Sequence, residues 1–167
     1  MVSVINFAII ILTAKLMGAE VRGSISLCML AIAIAGLINE IIGGPAIVYL
    51  VPRYDNSSIA KFSYLWAVFI SVTCSLILGL FNFYDFSLFP LVAGCSLMLC
   101  LGSIHQFLLL GHQKIKAFNH IALVQSIILF SVFIGFIFLK QYHIQVYFYA
   151  LLSAYTISFL MGLNYTL

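Results

Sequence analysis

Polar residues are so sparse along this chain that they divide it into six apolar runs: Val2–Met17, Ile25–Val51, Phe62–Phe81, Leu88–Leu110, Asn119–Leu139 and Val146–Leu167. Apolar positions fill whole turns, without the two-residue alternation of a barrel strand. Each run is close to the ~20 residues that cross a bilayer as a helix. The pattern predicts an all-α, polytopic membrane bundle of about six helices in one domain. The first run is the exception in length: sixteen residues rise only ~24 Å against a hydrocarbon core of ~30 Å, so residues upstream of Met1 are expected. Met1–Leu12 lacks the basic start of a secretory signal, and Lys15 lies beyond the apolar stretch.

The connections GAEVRGS, PRYDNSSIAK, NFYDFS, GHQKIKAF and KQYHIQ are too short to hold a soluble domain. Tyr49, Tyr54, Tyr64, Trp66, Tyr84, Tyr142, Tyr147 and Tyr149 gather near the run ends, as an interfacial aromatic belt requires. Arg53, Lys61, Lys114 and Lys116 fall in the second and fourth loops, against Lys15, Arg22 and Lys140 on the other side. By the positive-inside rule this places both termini in the cytoplasm.

Composition sharpens the class. Of 167 residues 65% are hydrophobic and 7% charged, with a formal net charge of +3, and the mean hydropathy is +1.23. A soluble domain carries roughly 25% charged residues. The few basic residues are scattered, which argues against nucleic acid as a partner. Cys28, Cys74, Cys95 and Cys100 sit inside apolar runs without metal-ligand spacing and read as small packing residues. No metal or cofactor is expected. The sequons at Asn56 and Asn164 are common by chance and carry no weight.

Chemistry concentrates in Asn39–Tyr54, NEIIGGPAIVYLVPRY. A carboxylate such as Glu40 inside a span costs about 2.5–3.5 kcal/mol on insertion scales. Thirteen Ile, Leu and Val residues in the second run offset it, at about 0.3–0.6 kcal/mol each. Gly43, Gly44 and Pro45 predict a break, because Pro45 lacks an N–H and clashes with the carbonyl of Ile41. Two readings follow. Either Glu40, with Asn39 beside it, faces a watery cavity and binds substrate or a coupling proton, or Glu40 is interfacial at the end of a helix Ile25–Ile42 and the glycines admit a neighbouring helix.

Lys15 is too far from Glu40 in depth to be its counter-ion and is expected to snorkel outward. His105 and Gln106 in the fourth run and Gln125 in the fifth are further cavity candidates, with hydrogen-bonded packing as the alternative for His105. His112, Lys114, Lys116 and His120 cluster around the fourth loop; Lys114 and Lys116 are candidates for a headgroup entrance, or else a topology signal. No GxSxG, HExxH or Walker sequence occurs, and Ser96, Ser103 and His105 lack flanking catalytic signatures, so the chain is not expected to be an enzyme.

Three stretches carry a resemblance. ILTAKLMGAEVRGSISL, with the turn Met17-Gly18-Ala19-Glu20-Val21-Arg22-Gly23, resembles the opening helix hairpin of bacterial polysaccharide flippases, although Val21 stands where a small or polar residue is usual. GGPAIVYLVPRY and GHQKIKAFN resemble the corresponding stretches of the O-antigen and related flippases of the multidrug/oligosaccharidyl-lipid/polysaccharide exporter superfamily. The resemblance implies the amino-terminal half of a two-lobed transporter that carries a lipid-linked oligosaccharide across the bacterial inner membrane for cell-surface polysaccharide. Membrane lipid and a second six-helix half, from this or another chain, would be its partners. The alternatives are half of a cation- or proton-coupled multidrug exporter, or a non-transporting remnant or partner subunit.

Overall fold

The computed structural model describes residues 2–54, 56–139 and 143–166. Lys140 and Tyr142, used above for topology and the aromatic belt, lie outside the described residues, as does Leu167. The described residues are helical, with no strand among them. The elements are α1 (Val2–Gly43), α2 (Pro45–Leu50), α3 (Asn56–Leu80), a 3-10 turn (Phe86–Leu88), α4 (Phe89–Gly111), α5 (Ile115–Phe138) and α6 (Ile144–Thr166). Five stretches are long and apolar enough to cross a membrane, the first being the 48-residue Ser3–Leu50. The first two of the six expected runs are joined here in one stretch with a kink at Gly18.

The difference arises at the first loop. Residues 18–24 were expected to form a turn between two helices, yet only Gly18 leaves the helical region, at φ 85° and ψ 165°. Ala19, Glu20 and Arg22 form helix readily, so the chain re-enters helix at once. A straight helix would separate Ile9 from Met29 by about 30 Å, but Ile9, Ile10, Ser26 and Met29 line one cavity. Gly18 is therefore an elbow that folds the two arms of α1 side by side.

The second break falls at Gly44. The Gly44 amide closes the last bond of α1, donating to the Glu40 carbonyl at 2.9 Å, and Ile47 opens α2 by donating to Gly44 at 3.1 Å. Pro45 takes the first helical position of α2, where the new helix needs no N–H, although the Ile41 carbonyl of α1 loses its usual donor. A side chain at Gly44 would place its Cβ 2.7 Å from the Glu40 carbonyl oxygen, so this register requires glycine.

Helices α3 and α5 begin at Asn56 and Ile115, several residues before the apolar runs expected at Phe62 and Asn119. Leaving hydrocarbon does not end a helix, so the first turns of both extend beyond the apolar runs. Before α4, the Asp85 carboxylate accepts from the Ser87 amide at 2.9 Å and caps the 3-10 turn. That bond holds the Asp85 carboxyl below its usual range.

Helix α4 is the axis of the bundle, packed by α1, α2, α3 and α6, while α5 lies mainly against α6. On α1 the buried stripe is Ile25, Cys28, Ala31, Ile32 and Ala35, a helical period. On α6, Ala150, Ala154, Ser158 and Gly162 turn small side chains inward, which lets helices approach closely. A Cβ at Gly162 would lie 2.7 Å from the Cβ of His105. The outward faces, with Phe62, Leu65 and Phe69 on α3, are hydrocarbon. All four cysteines are buried and unpaired.

Candidate functional site

The second arm of α1 and α4 run parallel in fixed register. The Cys100 thiol lies 3.9 Å from the Ala35 carbonyl, Gly36 meets Leu99, and the Asn39 amide donates to the Ser103 hydroxyl at 3.2 Å. Ser103 passes its own proton to the Cys100 carbonyl at 2.8 Å. Asn39 is 1% exposed and its side-chain oxygen has no partner. Asn39 thus joins α1 to α4 by one bond. Because half of its amide is already unsatisfied, Asn39→Leu is expected to change the unfolding free energy by less than about 1 kcal/mol. Chemical unfolding in detergent measures it.

Glu40 is the next residue, about 100° further round the helix, and it is exposed. Its neighbours on that face are Leu37, 65% exposed, and Ile41, 77% exposed. The expectation that Glu40 faces a cavity among these helices is corrected here: it points out of the bundle, because Asn39 takes the inward position. The Asn39–Ser103 bond fixes its level. Ser103 is about 21 Å along α4 from Phe89 and about 12 Å short of Gly111, slightly beyond the helix midpoint.

His105 is a packing residue. Its Nε2 lies 2.6 Å from the Tyr64 hydroxyl and its Nδ1 lies 2.9 Å from the Thr166 hydroxyl. The Thr166 hydroxyl also lies 3.0 Å from the Gly162 and Leu163 carbonyls. The ring ties α3, α4 and α6 together and is fully engaged.

Gln106 and Gln125 do come together, on a cavity of about 550 Å³ between α1, α4, α5 and α6. Asn6, Arg22, Ser126 and Tyr147 also line it. Arg22 and Asn6 escaped the sequence reading, Arg22 because it was assigned to a loop. The signal was present in Ala19–Arg22, whose residues favour helix and so carry Arg22 back onto a helical face.

Lys114 donates to the Tyr165 carbonyl at 3.0 Å, capping the end of α6, where a cation complements the helix dipole. His120 contacts the Tyr165 hydroxyl at 3.1 Å. Lys116 is exposed. Among the described residues no three His, Cys, Asp or Glu side chains are grouped to hold a metal. No protein-family model, curated protein or solved structure matches this chain.

Proposed function

We propose that this chain is one lobe of a polysaccharide-flippase-type transporter. In this reading it moves a lipid-linked oligosaccharide across the bacterial cytoplasmic membrane together with a second six-helix half. The observation that carries the reading is Glu40: a carboxylate on the outside of an apolar bundle, near the middle of its length, between Leu37 and Ile41. Facing acyl chains there it would cost about 2.5–3.5 kcal/mol. Facing water between two lobes it costs little. The break at Gly44 lies one turn further on the same arm, where freed backbone groups also need polar surroundings.

Counting the two arms of α1 separately gives six crossings, with Arg53, Lys61, Lys114 and Lys116 on the cytoplasmic side with both termini. A sugar-pyrophosphate head cannot pass hydrocarbon unaided, whereas a polyprenyl tail can stay in it. A polar face against a second lobe supplies that path without chemistry, and His105, held by Tyr64 and Thr166, is not offered as a catalyst.

Deleting the gene is expected to abolish surface polysaccharide and to accumulate its lipid-linked precursor. Restoring it with Glu40→Lys is expected to recover at least tenfold less polysaccharide than wild type. An unchanged glycan profile, or proton-coupled drug efflux in its place, contradicts the reading.

A further inference from the structure

The cavity between α1, α4, α5 and α6 bears one charged side chain, and that charge is positive. Arg22 lines it, and no carboxylate does. Glu20, two residues earlier, turns instead into a separate cleft with Asp85 and His143. Ser26 bonds the Arg22 carbonyl at 3.0 Å, not its guanidinium, and among the described residues no ion pair engages that guanidinium. Asn6, Gln106 and Gln125 also line the cavity, and among the described residues their side chains have no hydrogen-bond partner. The cavity is partly open: Asn6 is exposed and Arg22, Gln106 and Gln125 are half-buried, so these polar groups remain within reach of a ligand that enters it.

The arrangement is graded. Arg22 lies about 6 Å from the elbow at Gly18, at the end of the bundle, while Gln106 lies in the last third of α4. Ile9, Met29 and Leu129 supply apolar wall between them. An anion at one end, hydroxyl-bearing groups further in and an alkyl flank describe an amphiphile.

We propose that this cavity binds a phosphate group through Arg22, with the amides of Asn6, Gln106 and Gln125 taking the uncharged polar groups attached to it. Guanidinium pairs bidentately with phosphate oxygens, which sets it apart from lysine. The site lies within this bundle and is independent of the transport reading. Flipping without phosphate binding at Arg22 would refute only this proposal, and phosphate binding without flipping would refute only the other.

The test uses the full chain in a maltoside detergent, which carries no phosphate. Native mass spectrometry reads retention of dioleoylphosphatidylglycerol, and the thermal midpoint reads binding of inorganic pyrophosphate. Retention of the lipid alone identifies a lipid headgroup as the source; stabilisation by pyrophosphate identifies free phosphate as sufficient. In either arm Arg22→Gln is expected to weaken binding at least tenfold and Arg22→Lys to leave an intermediate affinity. Lys15→Gln, which removes an exposed charge near the same elbow, is expected to change nothing. Circular dichroism of each variant verifies the fold. Binding by neither probe, equal binding by Arg22→Gln and wild type, or an equal loss in Lys15→Gln overturns the proposal.

Discussion

Gly18→Ala is expected to lower the unfolding free energy by about 1–3 kcal/mol, although the added methyl would touch nothing. No atom lies within 4 Å of a Cβ built at Gly18, so crowding is absent. The cost is in the backbone: φ 85° with ψ 165° belongs to a region that essentially only glycine occupies. A residue with a side chain must rotate out of it, and the two arms of α1 would then open. Ile9 and Ile25 share a core cluster across that elbow, so their separation would unpack the bundle. Denaturant titration in detergent measures the effect. Gly23, also without neighbours within 4 Å but lying inside regular helix, is the control; Gly23→Ala is expected to be neutral or stabilising by up to about 1 kcal/mol.

Gly162→Val is expected to cost about 1–3 kcal/mol by overpacking, through steric contact instead of backbone strain. A Cβ there would meet the Cβ of His105 at 2.7 Å, and that atom is fixed to the α4 backbone. Relief requires α6 to move away from α4, which lengthens the His105–Thr166 bond of 2.9 Å. His105→Ala keeps its Cβ and is therefore not expected to rescue Gly162→Val. His105→Gly removes the obstacle and is expected to recover part of the loss, net of about 1 kcal/mol for glycine in a helix. A double-mutant cycle on thermal midpoints separates the two.

What the sequence discloses about this fold follows from the kind of information each residue carries. The break at Gly43–Pro45 is readable because proline removes a donor and glycine tolerates close approach to the Glu40 carbonyl; both are local chemistry. The elbow was located but its size was not, since one glycine can turn the chain as sharply as seven loop residues. Direction was the hardest quantity. When a helix is apolar all round, its pattern gives no inward face, so Asn39 and Glu40, adjacent in sequence, could not be assigned one to the interior and one to the surface. Gln106 and Gln125 were legible because an amide in hydrocarbon needs a partner wherever it points. Arg22 was not, because its place depends on helix resuming directly after Gly18.

The central claim is that the face around Glu40 borders water within the membrane. Glu40→Cys, in cells producing the chain together with the proposed second half, tests it most directly with a charged, membrane-impermeant thiol reagent. Cys28, Cys74, Cys95 and Cys100 are buried and contribute little background. The account predicts labelling of residue 40 by that reagent, at a rate comparable to a cysteine at exposed Lys116 and far above one at Leu65 on the outer face of α3. Labelling only by an apolar, membrane-dissolved maleimide, at the rate found for position 65, would contradict it.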